Sequence, residues 1–180
     1  MCLRKRVLIV CIKHNVKRMD DMSVNRGKQF EDGIREAFEK LPDVSIDRLH
    51  DQTNGYRGSQ NICDFIVYRE PTEYYIECKT THGNTLPFRN ITDTQWNGLL
   101  EKSKIKGVVA GIICWWVKKD VTFFLPIECL QILKEHYGEK SICYKDCLED
   151  DAFVEIKGKK KRVFFDYQMR EFLDEIQYIR

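Results

Sequence analysis

Asp64, Glu77 and Lys79 are the residues of this sequence whose types and spacing most readily do chemistry. Asp64 lies in an apolar run from Ile62 to Tyr68, and Glu77 and Lys79 lie in a second run from Glu73 to Thr80. The four residues between them, Arg69-Glu70-Pro71-Thr72, have the length and proline content of a hairpin loop. With that loop Tyr68 pairs with Glu73, and counting back puts Asp64 opposite Glu77. Glu77 and Lys79 are two apart and share a strand face, while Cys78 points away. Opposed carboxylates repel unless a positive charge sits between them. Mg²⁺, with Mn²⁺ as a substitute, suits such a place because it favours hard oxygen ligands and keeps several waters. Such an ion polarises a phosphoryl oxygen and lowers the pKa of a bound water, and the lysine would orient that water or neutralise developing charge. The chemistry expected is phosphodiester hydrolysis.

The competing reading is a solvated cross-strand face. It requires polar neighbours, yet Ile62, Phe65, Ile66, Val67 and Ile76 leave few exposed positions. A lone charge on Asp64 inside an apolar strand is also costly.

Other elements must hold this hairpin. Phe30, Ile34, Ala37, Phe38 and Leu41 recur at three- and four-residue steps, which predicts a helix from about Ser23 to Leu41, ended by Pro42. Val44 to Asp51 reads as a strand, Gln52 to Gln60 as a loop carrying Arg57, and Thr81 to Asn90 as irregular. Thr92 or Asp93 can cap a helix reaching about Lys106. The apolar run Val108 to Val117 reads as a buried strand and Val121 to Leu125 as its partner, before a helix from Pro126 to about Tyr137. Phe153 to Lys157 and Arg162 to Tyr167 read as a basic-tipped hairpin, and Gln168 to Arg180 as a closing helix. The expectation is an α/β fold, a mixed β-sheet flanked by helices.

Asp64, followed after thirteen positions by Glu77-Cys78-Lys79, resembles the PD-(D/E)XK nuclease superfamily. Gly27-Lys28-Gln29-Phe30-Glu31 is similar to the first-helix glutamate motif of those enzymes. Leu86-Pro87-Phe88 and the Gln95 helix look like the RecU-type Holliday junction resolvases and their phage relatives. The likeness runs from about Asn25 to Leu125 and more weakly to Tyr167. It implies a restriction-endonuclease-like fold in which Asp64 and Glu77 hold the metal, Lys79 is catalytic, and Glu31 and Gln95 support the site. It also implies DNA, in particular four-way junctions, as substrate, and a homodimer that makes paired cuts. The interface of such a dimer is expected to draw on apolar residues that one domain cannot bury, with Tyr74, Tyr75 and parts of Phe123-Phe124 as candidates. Cys63 stands where the superfamily has its proline, and the short segment after Lys79 leaves little room for a long junction-inserting stalk. Read on their residues alone, Glu31 and Gln95 are equally compatible with ordinary helical surface. A duplex endonuclease of restriction or repair type, and a DNA-binding accessory protein without turnover, remain alternatives on the same fold.

Composition bounds these readings. In 180 residues, 43% are apolar and 32% charged, with a formal net charge of +2, which suits one soluble domain. The charge is unevenly spread. The first 28 residues carry eight Lys or Arg against Asp20 and Asp21, and Lys157 to Arg162 forms a second basic cluster. Two such patches suit a protein that meets phosphates. Of the eight cysteines, Cys63, Cys78 and Cys114 lie in strand-like runs, as reduced thiols in an intracellular protein would. Cys129, His136, Cys143 and Cys147 lack the paired knuckle of a zinc site. No stretch approaches the ~20 apolar residues of a membrane helix, so no membrane partner is expected. Residues 1–22 read as a basic extension ahead of a nuclease domain at 23–180, with 1–21 dispensable for folding.

Overall fold

The computed structural model describes residues 26–49 and 61–177. The amino-terminal extension with its strand-like segment Val7 to Ile12, Ser23 to Asn25, His50 and Asp51, the whole loop Gln52 to Gln60 with Arg57, and the last three residues lie outside the described residues.

Helix α1 covers described residues 26–39. Its stripe of Phe30, Ile34, Ala37 and Phe38 is buried against one face of a six-stranded sheet. The strands are β1 (Ser45–Arg48), β2 (Phe65–Arg69), β3 (Thr72–Thr81), β5 (Val108–Trp116), β6 (Val121–Pro126) and β8 (Val154–Glu155), adjacent in that order. The β2–β3 hairpin keeps the expected register, with Tyr68 opposite Glu73. Its turn is tighter than expected, because Arg69 and Thr72 also pair and leave only Glu70 and Pro71, joined by a cis peptide, at the tip.

Strand β5 runs parallel to β3, a connection that needs a crossover. Helix α2 (Asp93–Ser103) supplies it and ends slightly before the Lys106 expected. Every residue of β5 is buried, as a continuous apolar run in a sheet covered on both faces should be. Helix α5 (Met169–Ile176) joins α1 on one face, while α2 and α3 (Ile127–His136) cover the other. The sheet is therefore mixed and flanked by helices, as expected.

Three readings are corrected. The segment Phe153 to Lys157 does not form the outer arm of a hairpin. Val154 and Glu155 instead pair with Phe124 and Phe123 at the sheet edge, and the hairpin is β9 (Gly158–Lys160) with β10 (Phe165–Tyr167). The region expected to be irregular contains β4 (Thr85–Pro87), paired with β7 (Ser141–Cys143), followed by a 3₁₀ turn at Phe88–Asn90; a short α4 (Tyr144–Glu149) comes after β7. Tyr74, Tyr75, Phe123 and Phe124, expected to supply a subunit interface, are all buried within this chain by the two helix layers. Among the described residues no helix is long and apolar enough to cross a membrane.

The β5–β6 contact has no spare room at Gly111. A Cβ there would lie 2.4 Å from the Leu125 carbonyl oxygen and 2.6 Å from the Phe124 ring. Gly111→Ala should cost about 2 to 3 kcal/mol of stability, as overpacking against backbone does. Equilibrium guanidinium unfolding checks this, and an unchanged midpoint would refute the packing described.

Candidate active site

The β2–β3 ladder stops at Phe65 and Ile76, and there the chain bends. Ile76 is the register partner of Phe65, yet its carbonyl also accepts the Asp64 N–H at 3.1 Å. The Asp64 carbonyl accepts from Leu49 N–H at 2.9 Å, and its Oδ2 accepts from Cys78 N–H at 2.7 Å. A carboxylate thus takes a strand N–H beyond the last rung, a local side-chain substitute for backbone pairing. The expected rung between Asp64 and Glu77 is not formed, but both side chains line the same cavity.

Glu77 is 2% exposed. Its Oε1 accepts Lys79 Nζ at 2.6 Å and Gln95 Nε2 at 2.6 Å, while Oε2 is buried without a hydrogen-bond partner. Gln95 belongs to the first turn of α2, where it completes a capping box. Its N–H donates to Thr92 Oγ1 at 3.2 Å, and its Oε1 accepts Thr92 N–H at 3.1 Å. The cap fixes which end of the amide faces Glu77. Close approach of α2 to the strand start is helped by Gly98, where a Cβ would fall 2.4 Å from Ile62 Cγ2.

From the other side, α1 brings Glu31, whose Oε2 accepts an Arg48 NH2 proton at 2.9 Å; Arg48 NH1 reaches Asp32 Oδ1 at 3.1 Å. Glu31, Arg48, Asn61, Asp64, Glu77 and Gln95 all line a polar cavity of 170 Å³. The five residues singled out in the sequence are therefore assembled, Lys79 through its bond to Glu77. Arg48 and Asn61 were not anticipated. Asn61 Nδ2 is a second buried group with no hydrogen-bond partner, and a lone asparagine at the edge of a loop carries no sequence signal. Cys63, in the proline position, donates Sγ–H to Phe65 O at 3.3 Å, and burial pushes its thiol up to about 12, so it serves as packing.

Burial, then the charge of Asp64, pushes the Glu77 carboxyl well above its ordinary range against the pull of Lys79. Burial likewise raises Asp64, opposed by the Cys78 N–H and then Lys79. Glu31 rises to about 6 through burial and then Asp64, with Arg48 opposing. Three acids that hold their protons too tightly form a place where a cation would be welcome. A hard divalent ion fits: the available atoms are carboxylate oxygens, and Glu77 Oε2 is a buried acceptor with nothing to accept. Among the described residues no three His, Cys, Asp or Glu side chains group closely enough to hold a metal by themselves. Two carboxylates with solvent completing the shell are the arrangement Mg²⁺ tolerates.

A mixed sheet that brings Asp64, Glu77 and Lys79 together beneath a helix glutamate and a helix glutamine is the arrangement that the likeness to the PD-(D/E)XK nucleases implied. The family model of Recombination protein U, RecU, matches residues 41–168, and the chain belongs to that family of Holliday junction resolvases. Endonuclease function follows from the membership. Among solved structures the chain is similar to Hjc of Archaeoglobus fulgidus, a Holliday junction resolvase from an archaeal hyperthermophile. Identity is 18%, with 57% of this chain and 78% of that one covered and a TM-score of 0.43. No curated protein matches the chain.

The raised acids set the sign of a pH effect on the metal-free fold. Unfolded carboxyls ionise near 4.5, whereas folded Glu31 keeps its proton to about 6 and Glu77 beyond that. The folded state therefore binds more protons, and stability falls as pH rises through this window. In chelator the melting temperature should drop between about pH 5 and about pH 8, and Glu77→Gln should flatten much of that drop. A wild-type melting temperature that rises across this range would contradict the burial described.

Proposed function

We propose that this chain hydrolyses DNA phosphodiesters at four-way junctions, using a divalent cation, Mg²⁺ or Mn²⁺, held by Asp64 and Glu77. One observation carries the reading. Glu77 has one oxygen fixed by Lys79 and Gln95, while the other is buried and unpartnered in the cavity that Asp64 shares. A bound divalent ion supplies Lewis acidity toward a phosphoryl oxygen.

The chain's own groups do the rest. Lys79, held against Glu77, can donate a hydrogen bond to a water or to an anionic phosphoryl oxygen. Gln95 orients the Glu77 carboxylate from α2. Glu31, restrained by Arg48, stands at the cavity wall as a carboxylate able to accept a proton near neutral pH. Asp64, braced by three backbone groups, keeps its place when the charge balance changes.

Asp64→Ala and Glu77→Ala should each abolish cleavage of a junction under Mg²⁺ and leave DNA affinity equal or higher, since removing a carboxylate removes repulsion of phosphate. Lys79→Ala should slow cleavage by roughly a hundredfold or more, the usual cost of losing a charge-stabilising donor, with Mg²⁺ affinity retained by calorimetry. Cleavage by either carboxylate variant at the wild-type rate would remove the assignment. A linear duplex run in parallel tests the substrate: equal cutting of duplex and junction would favour a general endonuclease.

Paired cuts require two active sites, and the described residues carry one Asp–Glu–Lys set, so a two-fold homodimer is the economical form. Its interface must lie elsewhere than at Tyr74, Tyr75, Phe123 and Phe124, which are buried in the chain itself. Sedimentation at micromolar concentration should give a dimer, and a strict monomer that resolves no junction symmetrically would overturn the paired-cut reading.

A further inference from the structure

The first turn of α2 has a second side. There β4, the 3₁₀ turn, the end of α3 and residues 138–141 enclose an open groove of 930 Å³, several times larger than the cavity at Glu77. Its apolar floor includes Phe88, Ile91 and Trp96, with the Phe88 and Trp96 rings 5.3 Å apart. Arg89, Lys134 and Lys140 stand on its rim, all exposed, and among the described residues none of the three has an ion-pair partner. The Lys134 ammonium lies over the Trp96 ring, 4.3 Å from its centre. Asp93 and Glu139 also border the groove, so its cations are in the majority but not alone.

Position gives the groove its interest. Thr92 lines it, and Thr92 caps the turn whose Gln95 touches Glu77. A chain lying in the groove is thus one helical turn from the carboxylate that the proposed chemistry uses. Free cations over an aromatic floor are the chemistry that receives a single nucleic-acid strand, with phosphates on the rim and bases toward the rings. The volume is at the upper end of ligand pockets, about 300 to 1,000 Å³, and admits a short run of nucleotides. The floor side chains are at most 6% exposed, so the groove offers little bare apolar area to a protein partner, and a base reaches the Trp96 ring only once Lys134 is displaced from it.

We propose that this groove holds unpaired nucleotides of the DNA strand adjoining the scissile phosphate, with Arg89 and Lys140 on its phosphates and Lys134 moving off Trp96 to admit a base. The proposal deepens the nuclease reading and rests on it. It separates a branched substrate, which can present unpaired nucleotides, from a continuous duplex, which cannot.

The test is binding of labelled oligonucleotides to the full chain in chelator, as a single strand, a duplex and a junction. Arg89→Glu with Lys140→Glu should weaken single-strand and junction binding by about tenfold or more. It should also make the salt dependence of affinity shallower by about one to two. Lys104→Glu with Lys106→Glu, just beyond the opposite end of α2, serves as the charge-matched control. Undiminished affinity in the groove variant would overturn the proposal, as would an equal loss in the control variant, which would reduce the effect to overall charge. A groove variant that loses self-association while binding DNA as before would make the groove an interface between copies, and would also overturn it. Wild-type cleavage in Mg²⁺, measured alongside, separates the two readings. A wild type that cuts junctions, with a groove variant that binds normally, removes the groove alone. A wild type that binds the single strand through the groove and cuts nothing removes the nuclease alone.

Discussion

Glu77 carries a carboxylate into a place almost closed to bulk solvent, and the surrounding structure is arranged around making that tolerable. A buried acid must be neutral, paired or bonded. One oxygen is satisfied twice, by a lysine from the same strand and by an amide from a helix across the sheet face. The other oxygen is left over beside a second acid. The strand alternation that puts Lys79 on the face of Glu77, the capping box that aims Gln95 and the glycine that lets α2 close on Ile62 all serve this one group.

The sheet topology makes the meeting possible. Because β3 and β5 are parallel, the chain must cross a face of the sheet between them, and the crossing helix passes over the strand that bears Glu77. The opposite face is closed by α1 and α5, and α1 reaches the same cavity with Glu31. Two helices on opposite faces thus contribute to one site at the end of the β2–β3 ladder. Had β2 continued its pairing past Phe65, backbone and not Asp64 would have taken the Cys78 N–H, and no cavity would open there.

The sequence reading of the hairpin succeeded because strand periodicity is local and forgiving. A turn shorter by two residues than expected left the register of Tyr68 and Glu73 unchanged. The bend at Asp64 was not legible, since it depends on a side chain taking the place of a backbone acceptor. Arg48 escaped notice because its partners, Glu31 and Asp32, sit on a helix far away in sequence. Val154 and Glu155 alternate as a hairpin arm should, but the open edge of β6 was the stronger partner. Strands of three residues such as β4 and β7 are too short to show a period. Tyr74, Tyr75, Phe123 and Phe124 looked surplus to one domain only while the helix layers on both faces were not in view.

The cap at Thr92 places an unusual demand on residue identity. As a helix-starting device, the third position accepts glutamate as readily as glutamine, since either offers an oxygen to the cap N–H. Here the same side chain must also present a donor to a buried acid, and only the amide can face both ways. A glutamate would preserve the helix start and set a further negative charge against Glu77. One atom of difference therefore separates a residue interchangeable by the rules of secondary structure from one dictated by a neighbour eighteen positions away. The vocabulary of local folding and the vocabulary of the site meet in a single side chain, and the site has the narrower tolerance.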